Sequence, residues 1–153
     1  MRRLLLCSIA AAGLLLLPSA AALAEWDFGA RGGVYSEESD AFAGIEGLTQ
    51  MGASQWFFNP NSEFVAVDDG DLVTVNGDFH YDFATNGPTY VWAGGGPALI
   101  VRDQDVGGSE TDPGLNLLSG VGFNKGGSVI PYLQGKLLVS DENEGVLAFG
   151  VRF

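Results

Sequence analysis

The chain is poor in the residues that most enzymes rely on. Cysteine occurs once, at Cys7, and histidine once, at His80. Seven basic residues stand against nineteen acids, a formal net charge of −12, so nucleic acid, whose phosphates demand a cationic surface, is not an expected partner. The longest apolar run, Leu4 to Leu17, holds about 14 residues, whereas a membrane-spanning helix needs roughly 20. Helices of any kind are disfavoured by 23 glycines and six prolines.

Arg2 and Arg3 precede the apolar run, Pro18 ends it, and Ala22-Leu23-Ala24 supplies a small-residue cleavage site. This is the pattern of a secretory signal peptide spanning residues 1–24, with the mature chain starting at Glu25. Cys7 leaves with the leader, so disulfides and thiol chemistry are not expected afterwards. Without Arg2 and Arg3, five basic residues face nineteen acids, a net charge near −14. The remaining residues, 25–153, suit one domain.

That domain is rich in strand formers. The final residues alternate: Leu147, Phe149, Val151 and Phe153 share one face, and Val146, Ala148, Gly150 and Arg152 the other. Turn signals divide the rest into strand-length segments: 26–35, 42–51, 55–67, 72–83, 89–102, 112–124, 129–140 and 145–153. Each approaches the roughly 9–11 residues of a tilted transmembrane strand. The expected fold is all-β: an eight-stranded antiparallel up-and-down transmembrane β-barrel with both termini at one rim.

The connections support this topology. Taken alternately, segments 36–41, 68–71, 103–111 and 141–144 hold twelve acids, while 52–54, 84–88 and 125–128 hold none. Alternate connections of a meander lie at opposite ends, so one rim is acidic and the other nearly neutral. With both termini periplasmic, the acidic rim faces outward. Trp26, Trp56 and Trp92, with Phe28, Phe58, Tyr81, Phe83, Tyr90, Phe123 and Phe153, fall near the neutral rim; Tyr35, Phe42 and Phe64 fall near the acidic one. Both groups are expected to form interfacial girdles. The fifth segment is apolar on both faces and its orientation stays open.

The eight-segment plan, Trp56-Phe-Phe-Asn-Pro-Asn-Ser-Glu-Phe64, His80-Tyr-Asp-Phe83, Tyr90-Val-Trp-Ala-Gly-Gly-Gly96 and the terminal Phe149-Gly-Val-Arg-Phe153 resemble the small OmpA/OmpX-type outer-membrane β-barrel proteins. The resemblance covers the whole mature chain. It implies residence in the Gram-negative outer membrane, contact with outer-membrane lipid and lipopolysaccharide, a monomer, and a C-terminal Phe153 read by the barrel assembly machinery. The family includes structural anchors, adhesins, pores and lipid-modifying enzymes, so the resemblance does not fix an activity. Unlike OmpA, this chain carries no peptidoglycan-binding domain.

Extending the parity of the last strand inward places Arg31, Glu46, Glu63, Asp78, Lys136 and Arg152 in the lumen. His80, between Asp78 and Asp82 in period two, shares that side. A narrow eight-stranded barrel fills its interior with side chains, so these charges must pair. They form either a plug of ion pairs or the lining of a narrow path, with Gly29, Gly33, Gly44, Gly120, Gly122 and Gly150 leaving room for water. His80 has no serine beside it in sequence and lies toward the neutral rim, so a catalytic triad is not expected. The acid runs offer oxygen donors without EF-hand spacing. They read as a solvated face, the alternative being a shared divalent site bridging to lipopolysaccharide phosphates. No metal or cofactor is assigned. The expected function is a non-enzymatic structural or surface role; a narrow small-solute or ion channel is the alternative, and a lipid-modifying enzyme the third reading.

Overall fold

Alternation between a fatty and a small or polar face runs through the chain, and in an extended backbone it sends successive side chains to opposite sides. The computed structural model describes residues 25–36, 40–67, 70–83, 85–104 and 108–153. The signal peptide and Cys7 lie outside them, as do Glu37, Glu38, Asp68, Asp69 and Asp105 of the acidic connections. The strands are β1 (Trp26–Tyr35), β2 (Ala41–Gln50), β3 (Trp56–Val67), β4 (Gly70–Phe83), β5 (Tyr90–Gln104), β6 (Gly108–Gly122), β7 (Ile130–Val139) and β8 (Glu144–Arg152). Each pairs antiparallel with its sequence neighbours, and β1 pairs with β8 to close the barrel. Beyond the last ladder pair, Phe28 and Phe153 exchange two backbone hydrogen bonds, of 3.0 and 2.9 Å.

One boundary differs from expectation. The connection read as a loop over residues 103–111 is mostly ladder, with Gln104 opposite Gly108. Cross-strand pairing prolongs the hairpin: Val101 lies opposite Thr111, and Arg102 holds Asp112 at 2.7 Å. Continuing the ladder satisfies backbone groups that a loop would leave to water.

Polarity is inverted relative to a soluble barrel. Phe28, Ile45, Phe64, Leu99, Leu115, Leu117, Leu147, Phe149 and Phe153 are among the exposed large apolar side chains, Phe149 at 65% and Phe153 at 67%. Arg31, Glu46, Glu63, Asp78, His80, Lys136 and Arg152 are buried. A soluble lipocalin-like barrel would show the opposite pattern.

The girdle expectation needs correction. Phe28, Trp56, Phe83, Phe123 and Phe153 do face outward at the neutral end, but Trp92 and Tyr90 are 1% and 4% exposed, inside the barrel. Tyr35 and Phe42, near the acidic end, also point inward. Register explains it. Trp92 lies opposite Gly120, Tyr90 opposite Gly122, and Phe42 opposite Gly33. A facing residue without a Cβ gives these three rings their space; Tyr35, opposite Val146, is drawn inward by its hydrogen bond to Glu63. A Cβ at Gly120 or Gly122 would collide with the Trp92 or Tyr90 ring, and one at Gly33 would come within 2.7 Å of the Phe42 ring. Parity orients the fifth segment as well, with Tyr90, Trp92, Ala98 and Ile100 inside and Val91 and Leu99 outside.

Candidate functional site: the barrel interior

The interior is filled in three layers. At the acidic end, Tyr35, Phe42, Val65, Ala98, Ile100, Leu138, Val146 and Ala148 form an apolar cluster, with Leu72 packed against it. At the neutral end, Tyr90, Trp92, Leu118 and Tyr132 form a second. Between them lies the polar network.

Two carboxylates organise it. Glu63, on β3, takes Lys136 Nζ at 2.7 Å and Arg31 Nη2 at 3.2 Å. It also accepts hydrogen bonds from the Tyr35 hydroxyl at 2.6 Å and Thr74 Oγ1 at 3.2 Å. Glu46, on β2, takes Arg152 Nε at 3.0 Å and Arg31 Nη1 at 3.7 Å. Arg31 thus bridges both acids. Its contacts are electrostatic, since none of its guanidinium nitrogens meets hydrogen-bond geometry. Arg152 also lies over the Tyr132 ring at 4.3 Å and the Trp92 ring at 5.2 Å, which adds cation–π attraction in a desolvated setting.

Asp78 is held differently. Asn61 and Asn116 donate to its two oxygens at 2.9 and 2.8 Å. Asn116 also donates to Asn76 Oδ1 at 2.8 Å, and Asn76 to Asn61 Oδ1 at 2.9 Å. Asn59 resolves a backbone problem. Pro60 interrupts the β2–β3 ladder between Glu46↔Asn61 and Thr49↔Phe58 because it has no N–H to donate. Asn59 Nδ2 donates instead to the Gly47 carbonyl at 2.7 Å and to Glu46 Oε2 at 3.0 Å, tying the wall to the charge network. Sequence parity located the six lumen charges; these four asparagines carried no charge to draw attention to them.

His80 stands apart from the central charges. Its ring stacks on Phe57 (centroids 5.6 Å apart, planes at 11°) and tilts against Trp92. Nδ1 lies 3.2 Å from Asp82 Oδ1. Asp82 in turn meets Lys125 at 3.5 Å, from the β6–β7 turn.

The glycines expected to leave room for water do not. Gly29 faces Glu46, Gly44 faces Arg31 and Gly150 faces Tyr132 in register, and a Cβ at any of the three would press on that partner's side chain. Gly33, Gly120 and Gly122 accommodate rings, as described above. Each of these six glycines is therefore space that a neighbouring strand's large side chain occupies.

No protein-family model and no curated protein matches the sequence. Solved structures do match in shape. Neisserial surface protein A aligns with TM-score 0.66 at 20% identity over 83% of this chain and 94% of that one. Ail, the attachment invasion locus protein of Yersinia pestis, aligns with TM-score 0.53 at 14% identity over 84% of this chain and 96% of that one. Ail in a phospholipid bilayer nanodisc aligns with TM-score 0.52 at 14% identity, over 84% of this chain and 100% of that one. The fold is thus that of the small eight-stranded outer-membrane β-barrels, as the sequence resemblance implied.

Proposed function

We propose that the chain is an exported, monomeric outer-membrane protein, residues 25–153 forming a barrel closed by its own side chains, with a structural or surface role and no catalysis. The inverted polarity carries this reading: an apolar exterior needs lipid, and the charges at the centre of the barrel, on Arg31, Glu46, Glu63, Lys136 and Arg152, are neutralised by one another rather than by a solute. The filled interior argues against the channel alternative. Against the enzyme reading, His80 packs on Phe57 and Trp92 at the neutral end, with Asp82 as its polar neighbour.

The acid-rich end is the surface offered to the outside. Its connections contain no lysine or arginine, and Arg102 beside them is engaged by Asp112. Ail has been solved with the heparin analogue sucrose octasulfate; an acidic rim repels such polyanions, so a sulfated glycan is a poor candidate ligand here. Lipid and lipopolysaccharide surround the wall. Phe153, outward at the closing strand, is the feature offered to the barrel assembly machinery.

The cysteine-free mature chain allows a direct test. Cysteine placed at Asp141 should react with an impermeant thiol reagent on intact cells, and cysteine at Gly126 only after the outer membrane is opened. The reverse pattern would overturn the orientation. Labelling of both only after opening would favour a soluble periplasmic barrel.

A further inference from the structure

At the neutral end the interior opens into a recess of about 340 Å³, lined by Gln50, Gln55, Phe57, Asp82, Thr85 and Lys125. Its deepest polar group is Asp82, whose side chain is only 6% exposed. Asp82 Oδ1 accepts no hydrogen bond among the described residues, and neither ring nitrogen of His80 beside it makes one.

Charge arithmetic singles this acid out. Among the described residues the buried acids are Glu46, Glu63, Asp78 and Asp82, and the buried lysines and arginines are Arg31, Lys136 and Arg152. Three cations balance three acids deeper in the barrel. Asp82 takes its counter-charge from Lys125, a turn residue whose side chain is 49% exposed and stands 3.5 Å away. Lys125 Nζ also lies 4.9 Å above the Tyr90 ring. An ammonium group therefore already occupies the mouth, between a desolvated carboxylate and an aromatic face, and its long pair through a half-exposed lysine is looser than the 2.7 Å Lys136–Glu63 pair deeper in the barrel. The turn backbone is pinned, with the Lys125 N–H donating to the Pro88 carbonyl at 2.8 Å, so only the flexible lysine side chain has to move. The surrounding glutamine amides and threonine hydroxyl add neutral hydrogen-bonding groups without a second negative charge.

We propose that this recess binds the primary ammonium group of a small soluble amine, Asp82 serving as its anion and the Lys125 ammonium as the internal competitor that it displaces. Arrival of the ligand would free Lys125 to swing into solvent, so the lysine weakens binding even though it lines the site. Loss of the lysine would favour any cation at Asp82, so the sign of its effect tests the competition, while the neutral analogue tests the need for charge.

Putrescine titrated into protein extracted from the outer membrane in a maltoside detergent, which brings no amine of its own, tests this by amide chemical shifts. Shifts at Gln55, Thr85 and Lys125 should saturate, and 1,4-butanediol, the neutral analogue, should not produce them. Asp82→Asn should weaken putrescine at least about tenfold, the equivalent of ~1.4 kcal/mol, and Lys125→Ala should tighten it. Absence of saturable shifts, equal response to butanediol, an unaffected Asp82→Asn protein, or weaker binding by Lys125→Ala would each overturn the proposal. Should Asp82→Asn fail to fold, the sign of the Lys125→Ala effect together with the butanediol comparison still decides it.

Discussion

On the β7–β8–β1–β2–β3 side the barrel interior is ionic, built on Glu63 and Glu46 with Lys136, Arg31 and Arg152. Toward β4 and β6 it is an amide ladder, in which Asn61, Asn76 and Asn116 surround Asp78. The two chemistries meet different mechanical needs. Strands β3 to β6 are consecutive in the chain and joined by hairpins, so their register is fixed locally, and short amide bonds suffice to fill the space. The β1–β8 seam joins the two ends of the domain and has no turn to set its register. There the long cationic side chains reach across: Arg152 on β8 passes over β1 to Glu46 on β2, Lys136 on β7 reaches Glu63 on β3, and Arg31 on β1 touches both acids. A closure slipped by one residue would turn Arg152 toward lipid.

Loss of Glu63 should be the most damaging test of this difference. Glu63→Gln leaves Lys136 and Arg31 buried, one with no acid and the other with only the 3.7 Å contact to Glu46. The cost should be about 3–5 kcal/mol, read from urea unfolding of the barrel in lipid vesicles. A cost below ~1 kcal/mol would mean that the seam charges are solvated. Removing a cation should cost less, because each glutamate has two. Arg152→Met leaves Glu46 with Arg31 but forfeits the contacts with Tyr132 and Trp92, so about 2–3 kcal/mol is expected in the same titration. On the amide side, Asn116→Ala removes two hydrogen bonds and leaves Asp78 with Asn61 alone, for about 1–3 kcal/mol. A larger loss from Asn116→Ala than from Glu63→Gln would reverse the ranking of the two sides. Smallest of all, Arg102→Ala should change stability by less than ~1 kcal/mol, since its pair with Asp112 is partly exposed.

The sequence foreshadowed much of this because two signals were strong and local. Period-two alternation counted from Phe153 gave the inward faces, and the partition of acids between alternate connections gave the meander. The structural strand bounds agree within two residues except where β6 starts at Gly108 rather than Asp112. What stayed hidden depends on pairs of strands. Trp92 and Tyr90 looked like girdle residues because β5 is apolar on both faces, and only the register with Gly120 and Gly122 reveals an inward slot for each. The inward glycines looked like water space for the same reason. Asn59 could not be read either, since its task arises only where Pro60 meets β2.

A filled interior separates a plugged barrel from a pore, and ion conduction measures that directly. Purified protein reconstituted in planar bilayers should pass no steady current, because apolar and aromatic layers close both ends of the charge network. Reproducible small unitary currents, changed by substitutions at Glu46 or Glu63, would contradict it and make the charged residues the lining of a pore.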